Sequence, residues 1–85
     1  MEEKEIGKIT HYFSHVGVGV IEISDGELKV GDTIAIRGHT TKLEQKVDSM
    51  QIEHDVVEVA KKGDSVGTKV KERVRKHDKV FKIIE

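Results

Sequence analysis

Gly31-Asp32-Thr33-Ile34-Ala35-Ile36-Arg37-Gly38 reads as a corner, a five-residue strand and a second corner. Successive side chains of a strand point to opposite faces, so Ile34 and Ile36 share one face and belong in a core. The same alternation places Val66 and Val70 of Ser65–Lys71 in that core. Upstream, Val16-Gly17-Val18-Gly19-Val20-Ile21-Glu22-Ile23 is another strand, and its apolar parity changes between Val20 and Ile21. That change predicts a β-bulge at the glycines, a device that curls a sheet. Ile6–Phe13 is the strand before it, turning at Ser14-His15, and Asp25-Gly26 is a further turn. Because Tyr12 and Phe13 are adjacent on a strand, one is expected inside and the other outside.

Downstream, Gly38–Thr40 turns the chain into a long strand, Thr41–Glu53, which His54-Asp55 returns into Val56–Ala60. Lys61-Lys62-Gly63-Asp64 is a corner, Ser65–Lys71 a strand, Glu72–Lys79 a charged connection and Val80–Ile84 the last strand. Valine and isoleucine number 21 against four for leucine and alanine together, which favours pleated structure. No segment keeps an apolar 3.6-residue period. The fold expected is all-β, a small closed barrel of six to seven strands. One domain spans 1–85, with residues 1–4 a disordered lead-in, and no linker or internal repeat is evident.

The residues offer little chemistry. There is no cysteine, so disulfides and thiolate metal sites are excluded. Gly31 through Thr41 holds two glycines and a lysine, but not at the spacing of a phosphate loop opening a helix. His11 and His15 are four apart, a metal spacing on a helix and not across a strand end, while His39, His54 and His77 fall in turns. No serine sits in a nucleophile elbow. These readings predict no catalytic residue, no cofactor, no metal and no nucleotide, hence no enzyme. The acidic start, Met1-Glu2-Glu3-Lys4-Glu5, opens no signal peptide, and no apolar run is long enough for a bilayer. A cytoplasmic protein without membrane contact is expected.

Charge is unevenly spread. Residues 1–60 carry six Lys/Arg against twelve Asp/Glu, and 61–84 carry nine against three, so the segments stand at −6 and +6. Lys69 and Lys71 point away from the core face of their strand, and Arg73, Arg75 and Lys76 continue the run. Together they form a candidate stripe for neutralising RNA phosphates. The alternative is that the two segments pair across strands.

Two resemblances to known families add to this. Gly19 through Gly38 resembles the signature of domain II of the translational GTPases such as elongation factor Tu, with one extra residue before Gly26. Val47-Asp48-Ser49-Met50-Gln51 and Val57 through Gly67 resemble later strands of the same domain, although its closing Arg-Gly-Asp corner is Lys76-His77-Asp78 here. The resemblance implies a barrel that binds a tRNA acceptor end, ribosomal RNA or the ribosome. It puts Gln51 and His54 at the positions of the family's aminoacyl-end pocket, where Gln51 lacks the family's acidic charge. Ile6-Gly7-Lys8-Ile9-Thr10-His11-Tyr12, in turn, is similar to the opening of the small C-terminal barrel of collagenase-like peptidases, a family tied to RNA modification. The expectation is an RNA- or ribosome-binding accessory module. The alternative is a protein-interaction module that docks on an enzyme or self-associates.

Overall fold

A computed structural model describes residues 2–84 and contains ten strands among them. They are β1 (Glu2–Phe13), β2 (Val18–Ile23), β3 (Glu27–Lys29), β4 (Thr33–Arg37) and β5 (Lys42–Lys46). Then follow β6 (Met50–Ile52), β7 (Asp55–Val57), β8 (Val59–Lys61), β9 (Ser65–Lys69) and β10 (Lys79–Ile84). Eight of them form one sheet in the order β5-β4-β10-β1-β2-β9-β6-β7, and β3 pairs with β8 in a separate ribbon. The all-β class holds and no helix is present among the described residues. The lead-in expected to be disordered is ladder from Glu2 onward, where Glu2, Glu3 and Lys4 pair with Ile84, Ile83 and Lys82; Met1 lies outside the described residues.

The closed ladder expected from strand spacing is not formed, because no pairing joins β5 to β7 among the described residues. The long strand Thr41–Glu53 breaks between β5 and β6, just after Val47, whose backbone bonds to the corner leading into β4. Its N–H donates to the Asp32 carbonyl at 2.8 Å, and its carbonyl accepts from Gly31 N–H at 2.8 Å. The sheet still curls strongly. Four residue steps separate Lys46 from Met50, so β5 and β6 come within about 14 Å although they stand near opposite ends of the order.

A side chain spans the seam. Buried Gln45 of β5 donates from Nε2 to the Lys69 carbonyl at 2.8 Å, and its Oε1 accepts from Lys71 N–H at 2.8 Å. One donor and one acceptor on a planar amide reproduce what a neighbouring peptide group offers. Thr68 Oγ1 donates to the Ser49 carbonyl beside it, at 2.7 Å.

Three corners share one construction. In Lys29–Asp32, Lys61–Asp64 and Arg75–Asp78 the aspartate N–H donates to the carbonyl of the first residue, at 3.0, 2.9 and 3.1 Å. Its Oδ2 accepts from that same residue's N–H at 2.8, 2.9 and 2.8 Å. The third residue has a left-handed backbone, φ 97° at Gly31, 96° at Gly63 and 79° at His77. Glycine adopts that region at no steric cost, whereas His77 does so under strain. His77→Gly is therefore expected to stabilise the chain by about 1 kcal/mol, read as a higher urea midpoint at unchanged m-value.

The bulge expected at the glycines of β2 lies in β1 instead, where the register shifts between Glu5 and Gly7 and between Ile9 and His11. β2 keeps a regular alternation, with Gly19, Ile21 and Ile23 inside and Val18, Val20 and Glu22 outside. Gly19 leaves a gap in the core that Val74 fills, its Cγ2 lying 3.1 Å from where a Cβ would stand. Ile34, Ile36 and Val66 are fully buried, and Val70 packs against the core from its edge. Tyr12 faces inward and Phe13 outward. Across the other face, Arg37 pairs with Glu3 and lies 5.4 Å above the Phe81 ring, tying β4, β10 and β1 together. Hydrogen bonding to that guanidinium holds the Glu3 carboxyl below its usual range.

Candidate functional site

The outer faces of β2, β9 and β6 carry residues directly opposite one another, Val20 with Gly67 and Gly67 with Gln51. Partners in an antiparallel ladder point to the same face. Gly67 has no side chain, so the middle row is missing and its backbone becomes the floor of a groove of about 460 Å³. Phe13, Val16, Val18 and Val20 of the β1–β2 hairpin make one wall. Gln51, Glu53 and His54 at the β6–β7 turn make the other, with Ser65 on the floor strand.

The β6–β7 turn is strained where it meets the groove. Ile52 pairs with Asp55, so Glu53 and His54 are the two central residues, and both have positive φ, 50° and 71°. A two-residue hairpin of this kind normally uses Asn-Gly. Holding two side-chain-bearing residues there costs about 1–2 kcal/mol each. Such strain clusters at binding sites.

The apolar wall is open to solvent. Phe13 is 51% exposed and Val16 58%, and Phe13 stacks on His11 with ring centroids 6.2 Å apart. On the same face, Val56 of β7, opposite Gln51, is 75% exposed.

Of the residues singled out in the sequence, Gln51 and His54 line this groove. Lys69 stands at its end, directly opposite Val18. Lys71, Arg73, Arg75 and Lys76 lie on the loop after β9, which begins where Val70 N–H donates to the Gly17 carbonyl at 2.9 Å. That loop ends where His77 N–H donates to the Ile9 carbonyl at 2.8 Å. All five cations are exposed and none makes an ion pair among the described residues. The pairs that do form, such as Lys82–Asp32 and Lys4–Asp25, lie elsewhere. Sequence reading did not join Phe13, Val16, Val18 and Val20 to Gly67 as one site. The signal was there in the spacing of the three valines, two residues apart.

No protein-family model matches the chain. It is 46% identical over 82 residues to an uncharacterized protease of Methanocaldococcus jannaschii, covering 95% of this chain and 20% of that protein. It is 45% identical over 78 residues to a collagenase of Porphyromonas gingivalis, covering 91% of this chain and 22% of the relative. The chain thus spans about a fifth of the length of the curated relatives it matches. In fold it is similar to the C-terminal domain of a Geobacillus thermoleovorans protein assigned to the U32 peptidases. The TM-score is 0.87 at 17% identity, over 95% of this chain and 93% of that one.

These similarities correct the likeness to the translational GTPases and, with it, the expectation of a tRNA-, rRNA- or ribosome-binding translation module. The likeness has a physical origin in the three corners. Each needs a left-handed residue followed by an aspartate that caps backwards, so Gly-Asp recurs wherever a small curled sheet turns this way. The expectation of no enzymatic role is corrected too, since the relatives are named protease and collagenase. The opening around Ile6–Tyr12, similar to collagenase-like peptidases, is the resemblance that agrees with them. No helix among the described residues is long and apolar enough to cross a membrane.

Proposed function

We propose that the chain is an accessory module of a U32-peptidase-type enzyme and docks on the remainder of that enzyme. The carrying observation is the lopsided alignment, nearly all of this chain against a fifth of a protein named as a protease. The relatives' names, protease and collagenase, support peptide bonds as the substrate class of the whole assembly. The exposed apolar groove, with Lys69 at one end, is the surface that suits such docking. A sheet sealed into a closed barrel goes with this reading, β5 and β6 being halves of one bent strand and Gln45 the seal, because a rigid scaffold holds a docking face in place. So does a cytoplasmic setting, in keeping with the cysteine-free composition.

The test is to mix this chain with the M. jannaschii protein lacking its matching fifth and follow sedimentation velocity. A one-to-one complex is the expected result. No complex at a Kd tighter than about 100 μM, roughly −5.5 kcal/mol of binding, would sink the reading.

A further inference from the structure

We infer that the Gly67 groove binds an extended, acidic protein segment that carries an apolar anchor residue. This names the chemistry of the docking partner, and rests on the docking reading only for which protein supplies the segment.

The shape comes from a missing row of side chains. Sheet strands lie about 4.8 Å apart, so the β2 and β6 backbones flanking Gly67 stand about 9–10 Å apart, with the Val18 side chain leaning over the floor between them. From Ser65 to Lys69 is four residues, about 13 Å along the strand. That trough is one extended chain wide and three to four residues long. Its hairpin wall is apolar, so the segment's central residue must be apolar to gain from entering it.

The two ends of the trough differ in charge. At one end Lys69 stands beside Val18, and the loop bearing Lys71 and Arg73 starts from the Gly17 carbonyl. None of these cations has an ion-pair partner among the described residues. At the other end stand Glu53 and the strained turn at His54. A segment with carboxylates on one side of its anchor matches this polarity, and a basic or neutral one leaves the cations unmatched. Complementary potentials of this kind set specificity and on-rate.

The probe is a blocked heptapeptide, Gly-Ser-Phe-Leu-Glu-Glu-Asp, with a counterpart whose three acids are lysines, each titrated onto the full 85-residue chain. The acidic peptide is expected to bind at least tenfold more tightly. That preference should shrink between about 50 mM and about 200 mM salt as the charges are screened. Gly67→Val fills the floor and should weaken binding at least tenfold. A Cβ there meets Val18 Cγ1 at 3.3 Å and Gln51 O at 3.8 Å, so the Val18 side chain must give way, and circular dichroism of the variant checks that the fold is kept. Phe13→Ala, at an exposed position, is the second variant and should weaken binding several-fold. Lys69→Glu should abolish the preference for acid.

Equal binding of the two peptides, or full affinity in folded Gly67→Val and Phe13→Ala, overturns the inference. A dimer that Gly67→Val dissociates makes a second copy of this chain the occupant and overturns it as well. So does displacement of the peptide by single-stranded RNA. Peptide binding without a complex to the truncated enzyme would remove the enzyme-docking reading and leave the groove's chemistry standing. A complex that is indifferent to the groove variants would do the reverse.

Discussion

Gly7→Ala is expected to lower stability by about 3 kcal/mol or more, because the added methyl meets backbone that cannot turn aside. A Cβ at Gly7 would stand 2.1 Å from the carbonyl oxygen of Glu22 and 3.0 Å from its carbon. Both are backbone atoms of β2, so no rotamer change relieves the clash. The ladder itself must open at Gly7–Ile23 and Lys8–Glu22. Urea denaturation should show a large fall in midpoint at unchanged m-value. Gly31→Ala is the informative contrast. No atom lies within 4 Å of a Cβ there, and only the left-handed backbone penalises it, so its cost should stay near 1 kcal/mol.

Gln45→Leu should cost about 2–4 kcal/mol, although leucine is close in size and more apolar. The change removes two hydrogen bonds and strands their partners, the Lys69 carbonyl and the Lys71 N–H, in a partly buried seam. Each stranded group costs about 1–3 kcal/mol. Hydrogen exchange separates this from a general packing loss. The Lys71 amide should lose protection in Gln45→Leu, while amides of the β1–β10 ladder keep theirs relative to one another.

These two positions mark how far the sequence alone can be read. The strand Thr33–Arg37, the core isoleucines and the split between Tyr12 and Phe13 were legible, because alternation and corner residues are local signals. The seam was not. A glutamine on a charged strand gives no sign that its amide will stand in for a peptide group of a strand some twenty residues away. Nor did the bulges reveal themselves. The parity change after Val20 looked like a bulge, yet Gly19 keeps its inward place because Val74, far along the chain, supplies the missing volume. With that reading corrected, Val18 and Val20 become outward-facing apolar residues, and the groove follows from them. Gln51 and His54 were picked out for a resemblance that does not hold, and both still line the groove, because the turn that carries them is set by the sheet.

Gly-Asp corners explain why a translation-factor likeness ran through most of the chain. They report how a chain turns, through an aspartate that accepts and donates back to the first residue of the corner. Identity of 46% over 82 residues is a different kind of signal, since it spans the whole run of strands and not the corners alone.

The pairing of Glu2 with Ile84 puts the first and last described residues of the ladder side by side. The chain therefore enters and leaves the fold through a single doorway. Grafted into a surface loop of a larger protein, such a unit would ask its host to open by only about the spacing between two neighbouring strands. Hung from one end, it would swing about that same point. That doorway lies at the start of β1 and the end of β10, and the groove, whose wall includes Phe13 at the other end of β1, would travel with it unchanged.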